Sequence, residues 1–535
     1  MDTDHLEAFD VWGGGQLLAF SGVDGPTPFH DALVARTAMR GAGISVKLPG
    51  EAELWFCDAV PTRCFVTSDV VDVEHDRGRT RAVLVDACHL LVEGPCEVQH
   101  CAPELNTVVR GGRTLVGSAS VFDADRLDDD LEKAIDSRLQ WLGRAPKPEG
   151  ASELAMKTYR KAVSIMKGFT YAPDGILKHR YVTPDRWPHR GMWLWDSAFQ
   201  AIGLRHVDPE MAWDAVAAVL DAQREDGFVT IGYHHDTLPD ETQPPTLAMA
   251  ARLIQRVAPD NDRLAELFPK LCAYLEWDMR NRDTDGGGLV EWKASGRKRC
   301  RCGESGWDNS PRWDCAVPLD AADFNSFLAH ECEILAEFAG VLGMEDEQHK
   351  WAGHHERICG LMNQRLWSEK NEFYTDCIAE TGEQRPYLTA AGFLPLLCGA
   401  ADEAQAACLA RHLRTTFDTA VPVATIAPQH AELYSKDMWR GPMWPNINWS
   451  IAEGFERYGM DEEAALIRDR TCGVIEKYYE RHGSIFEFYD SADELAPPQL
   501  PRKGPNNPEE WIHQVVYDYG WTAALYVDTC CRRNN

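Results

Sequence analysis

The hydrophobic pattern of this chain changes once, and that change limits the fold more than any other feature. Up to about residue 125, apolar residues alternate with polar ones in short runs between Gly, Pro and Asp, as at Ile44, Val46 and Leu48. A period of two is typical of half-buried β-strands. Beyond residue 150 the alternation gives way to apolar residues at helical spacing. The sequence therefore predicts a β-rich region followed by a helical one.

The β-rich region, residues 1–125, is predicted to form a small β-sandwich. Leu54 and Phe56 continue the alternation begun at Ile44, and further strand candidates cover residues 63–68, 81–86, 88–93 and 115–122. Six or more short strands with turns between them are typical of a sandwich. Residues 126–150 read as a helical linker that ends in a stretch rich in Gly and Pro.

The region from 151 to 535 is predicted to be mainly α. Helix-start signals such as Asp208 before Pro209, and an αα-hairpin signal at Gly459 and Asp461, recur along it. The predicted helices begin near residues 151, 196, 209, 244, 261, 320, 343, 387, 401, 445, 461 and 515. Twelve paired helices with long loops between some of them favour an (α/α)6 toroid, a six-hairpin barrel that would carry the catalytic site.

Charge excludes two classes of partner. The chain has 84 Asp and Glu against 54 Lys and Arg, a formal net charge of −30. Such a surface repels phosphate backbones and anionic headgroups, so we expect neither nucleic acid nor membrane as a partner. A neutral small molecule such as a sugar fits best. The 18 Trp, clustered near 187–195, 292–313 and 439–449, are the residue type that stacks on sugar rings, although many are expected to be core residues.

Cysteine usage and the N-terminus predict a cytoplasmic protein. The 17 Cys are irregularly spaced, and the first residues lack the basic and apolar segments of a signal peptide. No apolar run is long enough to predict a membrane span.

Three loops and one acid further along combine carboxylates with aromatic side chains. The first loop contains Trp193, Trp195 and Asp196; the second, residues 304–314, contains Asp308; the third covers residues 439–448. Glu487 lies between aromatic residues further along. Glycoside hydrolysis needs one carboxylic acid to protonate the leaving oxygen and a second carboxylate to activate the attacking group. For any single acid, the alternative is a helix cap or an ion pair with a nearby Arg.

Five motifs resemble the catalytic domain of glycoside hydrolase family 63, which includes α-glucosidases and mannosylglycerate or glucosylglycerate hydrolases. They are Trp193-x-Trp195-Asp196-Ser197-x-Phe199, Gln243-Pro-Pro245, Glu304-Ser-Gly-Trp-Asp308, Arg440-Gly-Pro442-x-Trp444-Pro445 and Asp518-Tyr-Gly-Trp521. The resemblance implies an (α/α)6 barrel that hydrolyses an α-glycosidic bond with inversion.

The same resemblance implies roles for individual residues. Asp308 matches the general acid and Glu487 the general base. The predicted substrate-binding residues are Trp193, Trp195, Asp196, Gln243, Glu304, Trp307, Arg312, Arg440 and Trp444. The predicted substrate is a small α-glycoside, with an α-glucoside favoured, and no cofactor is expected.

The sequence departs from the family at its N-terminus. The β-rich region is shorter than the sandwich of some members and absent from the small hydrolases of glycerate glycosides. It is expected either to lend a loop to the aglycone side, with residues 20–25 as the candidate, or to form a homo-oligomer. The motif expected of trehalases is missing, since Arg440-Gly-Pro-Met-Trp444 stands in its place.

Two other functions stay open at this point. A sugar epimerase on the same toroid would use histidines as acid and base, and His179, His189, His234 and His235 are available. A carbohydrate-binding protein without activity is the other alternative, against which the two acids argue.

No metal site is predicted. Asp283-Thr-Asp285-Gly-Gly-Gly288 resembles the start of a calcium loop but lacks a third acidic ligand, so it is interpreted as a helix-ending turn. Cys300 and Cys302 have no second pair at zinc-site spacing.

Overall fold

A computed structural model describes residues 10–532, apart from positions 101, 236, 296, 298 and 316. A β-rich N-terminal region precedes a region dominated by α-helices, as the change in hydrophobic pattern predicts. In this part of the chain, no helix is long and apolar enough to cross a membrane.

The β-rich region contains two antiparallel sheets. The first has the order β1-β2-β3-β4-β9 and the second β10-β11-β8-β7-β6-β5. The strands are β1 Leu17–Ala19, β2 Val34–Arg40, β3 Gly43–Lys47, β4 Glu53–Cys57, β5 Arg63–Val66, β6 Val70–His75, β7 Gly78–Asp86, β8 His89–Glu93, β9 Glu97–Gln99, β10 Leu105–Arg110 and β11 Arg113–Ser118. Alternate residues of both sheets, such as Ile44 and Leu84, enter one buried apolar cluster.

The predicted strands are confirmed, but the structure also contains strands that the sequence did not predict. Every predicted strand segment overlaps a strand of the structure, from β3 to β11. The sequence did not indicate β1, β2, β6, β9 or β10. Residues of β9 and β10 are half exposed or exposed, so they lack the apolar alternation that marks the other strands.

Twelve α-helices occur in the described residues. They are α1 Leu131–Leu139, α2 Glu153–Gly168, α3 Leu194–Leu204, α4 Pro209–Asp221, α5 Leu247–Val257, α6 Asn261–Asn281, α7 Ala322–Val341, α8 Glu345–Arg365, α9 Glu403–Arg414, α10 Pro445–Arg457, α11 Asp461–His482 and α12 Gly520–Arg532. Ten of the predicted helices begin within about three residues of their expected starts. The last begins at Gly520, and the helix expected near 387 is a 3₁₀ segment, Ala390–Leu396. Pro395 lies inside that segment and removes a backbone donor that an α-helix needs.

Short two-residue strands pair within the loops of the helical region. They are β12 Thr170–Tyr171 with β13 Tyr181–Val182, β14 Met192–Trp193 with β15 Gly232–Tyr233, β16 Leu319–Asp320 with β19 Cys377–Ile378, and β17 Trp367–Ser368 with β18 Phe373–Tyr374. They fix the loops that precede several helices.

Six segments of the helical region pack in a closed succession. Helix α3 packs against α5, α5 against α7, and α7 against the 3₁₀ segment Ala390–Leu396. That segment packs against α10, α10 against α12, and α12 returns to α3. A second set of helices covers this one: α2 packs on α12, α4 on α3, α8 on α7 and α11 on α10.

Buried polar contacts join the β-rich region to the helices. The Asp518 carboxylate accepts hydrogen bonds from the Leu17 backbone N–H at 2.9 Å and the Ser484 hydroxyl at 2.8 Å, and pairs with Lys161 at 2.9 Å. Lys167 of α2 pairs with Asp69 at 2.5 Å and with Asp24 at 2.7 Å. Residue Asp518 of the fifth motif thus anchors the two regions to each other.

Candidate active site

Asp308 and Glu487 line the same cavity, together with side chains from the starts of several helices. Trp193, Trp195 and Asp196 come from the start of α3, Trp444 from the start of α10, and Trp521 from the start of α12. The remaining lining residues are Pro184, His189, Gln243, Gly306, Met438, Trp439, Arg502, Lys503 and Tyr519. The fold therefore gathers residues from distant parts of the sequence around the two acids.

Asp308 is positioned by a tight loop against an indole. Gly306 has φ +72°, and a β-carbon there would lie 2.2 Å from the Trp195 ring, so only glycine fits. The Arg301 backbone N–H donates to the Asp308 carbonyl at 2.7 Å. The Asp308 carboxylate pairs with Lys503, whose Nζ lies 2.5 Å from Oδ2. Asp308 thus faces the cavity as a paired carboxylate.

Glu487 is held by a bidentate arginine. Arg502 donates from Nε to Oε2 at 2.8 Å and from Nη2 to Oε1 at 3.1 Å. The Val516 backbone N–H lies 3.3 Å from Oε2. Glu487 and Arg502 are each only 2% exposed. Two-point pairing fixes the plane of the carboxylate, which suits a group that must orient a water molecule.

Two further polar side chains reach the cavity from the α3 side. Asp196 is buried, accepts a hydrogen bond from the Tyr519 hydroxyl at 3.3 Å, and has a pKa raised well above its usual range, chiefly because burial disfavours the charged form. The Gln243 side-chain oxygen accepts from the Trp195 backbone N–H at 3.3 Å.

Stacked indoles form one wall. Trp439 and Trp444 stack with ring centroids 3.8 Å apart and planes 8° apart. Trp307 stacks behind Trp439 at 4.8 Å and does not itself line the cavity. Trp195 approaches Trp439 at 6.2 Å. Because Trp444 also stacks on Phe488 at 4.9 Å, the faces of Trp439 and Trp444 are covered by other aromatic rings, and the two indoles form a rigid apolar wall.

Three other predicted substrate-binding residues lie outside the cavity. Glu304 is fully buried and pairs with Arg282 at 2.5 Å, while Thr242 and Lys293 donate backbone hydrogen bonds to its carboxylate. Arg312 is fully buried between Asp323 and Asp376. Glu304 and Arg312 were predicted to bind substrate, but both side chains are engaged in ion pairs within the protein.

The third of these, Arg440, lines a second, basic depression beside the cavity. We call Arg299, Arg301, Arg440 and Lys503 the basic pocket; Asn309, Asp314, Asp437 and Gly504 complete its lining. Arg440 pairs with Asp314 through both guanidinium nitrogens, at 2.9 and 2.8 Å. Lys503 belongs to both depressions and so connects them.

Sequence reasoning missed several cavity residues. Arg502 and Lys503 were not predicted, because adjacent cations also occur elsewhere in the sequence, as at residues 160–161 and 297–299. Trp439 was inside the third loop and Tyr519 inside the fifth motif, but neither was assigned to the site. His189 lines the cavity and pairs with Asp185, with Nδ1 2.6 Å from Oδ2.

The β-rich region reaches the rim of the site by a loop other than the predicted one. In the segment 20–25, Asp24 pairs with Lys167 and the Ser21 hydroxyl donates to the Lys167 carbonyl, so this segment is anchored against α2. Instead, Phe29 and His30 contact His235, with ring centroids 4.9 and 4.4 Å away. His235 follows His234, which packs against Trp193.

The buried ion pair between Glu304 and Arg282 leads to a prediction about stability. Glu304→Gln should lower the free energy of unfolding by about 3 kcal/mol, because it leaves the guanidinium of Arg282 partly buried without its counter-charge. Urea unfolding followed by circular dichroism measures the change. As a control, Glu241→Gln removes a more exposed pair with Arg297 and should cost less than about 1 kcal/mol. Equal losses of unfolding free energy in the two variants would show that the Glu304 pair contributes no more to stability than an exposed pair does.

Comparison with known proteins identifies the family. The model for the "mannosylglycerate hydrolase MGH1-like glycoside hydrolase domain" matches residues 188–522. Mannosylglycerate hydrolase MGH1 of Selaginella moellendorffii is 27% identical over 392 residues, covering 58% of this chain and 77% of the relative. Mannosylglycerate hydrolase of Thermus thermophilus is 29% identical over 386 residues, covering 56% of this chain and 88% of the relative.

A solved structure shares the fold of about two thirds of this chain. The glycoside hydrolase family 63 mannosylglycerate hydrolase from Thermus thermophilus, in complex with glucose, superposes with a TM-score of 0.57 at 24% identity, covering 69% of this chain and 99% of the other. The matched family model spans the loops that carry Asp308 and Trp444. The chain therefore belongs to the mannosylglycerate hydrolase MGH1-like glycoside hydrolases, within the range of glycoside hydrolase family 63 that its motifs indicate.

Proposed function

We propose that this protein is an inverting α-glycosidase in which Asp308 is the general acid and Glu487 the general base. The observation that carries the proposal is the presence of both acids in one cavity walled by stacked indoles. The closed succession of helices supports an (α/α)6 toroid whose helix N-termini surround that cavity.

In the proposed reaction, Asp308 donates a proton to the glycosidic oxygen while Glu487 removes one from an attacking water. The water attacks the anomeric carbon from the face opposite the leaving group, so the α-glycoside yields the β-anomer. Inversion requires room for that water, and the two carboxyl groups should therefore lie about 6.5–9.5 Å apart in the substrate complex. Arg502 would keep the Glu487 carboxylate aimed at the water.

The basic pocket supports an acidic aglycone instead of the neutral one expected from composition. Four cationic side chains and two carboxylates, Asp314 and Asp437, line a depression next to the proposed acid. The relatives are named for mannosylglycerate, whose glycerate part carries a carboxylate. We infer that the aglycone is a small carboxylic acid and that the sugar is glucose or mannose.

Lys503 supports the same inference through its contact with Asp308. Lys503 Nζ lies 2.5 Å from Asp308 Oδ2, and the same lysine lines the basic pocket. A substrate carboxylate bound in the basic pocket would pair with a lysine that also contacts the proposed acid, which would place the glycosidic oxygen beside Asp308. A neutral aglycone offers Lys503 no such ion pair.

Replacing Lys503 should therefore change substrate preference. Lys503→Met is expected to lower kcat/KM for an α-glycosyl glycerate by about 10- to 100-fold, the cost of one charge-assisted contact at 1.4–2.8 kcal/mol. The value for a neutral methyl α-glycoside should change by less than about threefold or rise. Lys477→Met is a matched control, because Lys477 also pairs with an aspartate at 2.5 Å but lies on α11. Equal losses on both substrates would remove Lys503 from aglycone recognition.

Proton NMR of the products tests the function itself. Purified protein is incubated with α-glucosides and α-mannosides of glycerate, lactate and glycerol, and the spectrum is read before mutarotation. Initial release of the β-anomer would support inversion and identify the sugar. Initial release of the α-anomer would contradict it and make Glu487 or a neighbour a nucleophile. Interconversion of sugars without release of the aglycone would favour an epimerase.

A further inference from the structure

A second cavity lies among later turns of the helices that surround the catalytic cavity. Its volume is about 210 Å³, and its lining comes from α5, α7, α10 and the residue that follows the 3₁₀ segment. Trp444 precedes α10 and lines the catalytic cavity, whereas Arg457 ends α10 and lines the second cavity. The 13 residues of α10 span about 20 Å. Among the described residues, no side chain lines both cavities, so the second one is a separate place in the fold.

Three arginines line the second cavity. Arg252 and Arg256 lie one turn apart on α5, and Arg457 is the last residue of α10. Positive charge at a helix C-terminus complements the helix dipole, which accounts for Arg256 and Arg457. Arg252 lies a turn earlier, and its Nε is buried without a hydrogen-bond partner. Buried donors normally have an acceptor, so Arg252 indicates that an acceptor is missing from the cavity.

Protein carboxylates neutralise the three arginines unequally. Arg457 pairs with Glu333 through both terminal nitrogens, at 2.7 and 2.6 Å. The Glu337 carboxylate is 3.8 Å from Arg252 Nη1, which is too far for a hydrogen bond. Arg256 has no ion pair with any of the residues that the structure describes. The charges of Arg252 and Arg256 are therefore largely uncompensated.

The acid in the lining, Glu453, is engaged by other arginines. Its carboxylate pairs with Arg468 at 2.8 Å and with Arg532 at 2.6 Å, and neither of these arginines lines the cavity. Glu453 therefore does not neutralise the arginines of the lining, and the cavity is basic.

A buried histidine holds Arg252 in place. His330 is 2% exposed, and its Nε2 lies 2.8 Å from Arg252 Nη2. Because a guanidinium can only donate, Nε2 must be the acceptor. The pKa of His330 lies well below its usual value because the ring is buried and because Arg252 and Arg457 are near it. The ring is thus neutral, and it orients the arginine without adding or removing charge.

The rest of the lining is apolar and consists of Met249, Leu253, Leu397 and Trp449. The Trp449 Nε1–H donates to Asp528 at 2.8 Å, so the indole offers the cavity its apolar atoms. Arginine binds carboxylate and phosphate oxygens in pairs through its planar fork. Three arginines around one space suit the three free oxygens of a phosphate better than the two of a carboxylate. The apolar side leaves room for an organic group.

We propose that this cavity binds a small phosphate monoester, with its phosphate between the three arginines and its organic part against the apolar residues. Arg256 and Arg457 are exposed, so the cavity is open to a ligand from solvent. A phosphate bound there would join α5 to α10 far from the proposed catalytic acids. We therefore expect the ligand to stabilise the closed succession of helices.

Calorimetry on the full chain tests the proposal, with phenyl phosphate as the probe in a phosphate-free buffer of constant ionic strength. Phenyl phosphate should bind at least about tenfold more tightly than inorganic phosphate, because its ring buries apolar surface. Saturating phenyl phosphate should also raise Tm by about 3 °C. Absence of both heat and Tm shift at about 10 mM phenyl phosphate would overturn the proposal. Equal affinities for the two compounds would overturn the choice of a monoester.

Variants assign the binding to this cavity. Arg256→Met should weaken phenyl phosphate binding at least about tenfold, through the loss of one charge-assisted contact. Arg252→Met should do the same, and circular dichroism checks its folding because it also removes the partner of His330. The matched control is Arg280→Met, since Arg280 is an exposed arginine in the last turn of α6 and should not affect binding. Unchanged affinity in Arg256→Met and Arg252→Met would overturn the assignment.

The basic pocket beside the catalytic cavity is the competing anion site. Lys503→Met alters that pocket and should leave the affinity for phenyl phosphate within about twofold of the unmodified chain. If Lys503→Met weakens binding and Arg256→Met does not, the phosphate lies in the basic pocket and the proposal is wrong.

Discussion

Asp308→Asn is expected to lower kcat by about 10³-fold or more on substrates with an alcohol leaving group, because the asparagine amide cannot protonate the departing oxygen. The change keeps the shape of the side chain, so KM should stay within about threefold. Steady-state kinetics on the substrate found by NMR measures both parameters. The variant also removes the counter-charge of Lys503, which is 15% exposed and can be hydrated.

A substrate that needs no protonation separates the acid role from general damage. Fluoride leaves without a proton, so an α-glycosyl fluoride should be hydrolysed by Asp308→Asn within about tenfold of the normal rate. Asp240→Asn, which alters a surface pair with Arg224, should leave both rates unchanged. If Asp308→Asn lost the fluoride and the alcohol-glycoside reactions equally, another residue would have to be the acid.

The helices could be predicted because their signals are local. Caps such as Asp208, and apolar faces that repeat along one helix, depend on residues a few positions apart, and the structure confirms them. The 3₁₀ segment around Pro395 departs from prediction where a single residue removes a donor. Strands β9 and β10 were missed because they lie half exposed and lack alternation.

The composition of the site was less predictable, since it depends on which way each side chain faces. Loop 304–314 was recognised by its acids and indoles. In the structure, Asp308 faces the cavity, whereas Glu304 points away from it and pairs with Arg282. Both residues are acids in the same loop, and only contacts with distant parts of the sequence decide which of them faces the cavity. Arg502 and Lys503 show the converse, because their partners Glu487 and Asp308 belong to other loops.

Glu487→Ala is expected to lower kcat by about 10³- to 10⁴-fold, since the attacking water would lose the carboxylate, oriented by Arg502, that removes its proton. The substitution also leaves Arg502 buried without its counter-charge, which by itself would destabilise the fold by about 3 kcal/mol.

Because a loss of activity could come from either effect, azide rescue is used to separate them. Azide needs no deprotonation and fits the space left by the carboxylate, so with an α-glycosyl fluoride it should restore turnover and yield the β-glycosyl azide. The control is Glu494→Gln. The Glu494 side chain is 72% exposed and pairs with Lys436, so this variant should keep its activity without azide. A folded Glu487→Ala protein that azide does not rescue would show that Glu487 supports the cavity without acting at the anomeric carbon.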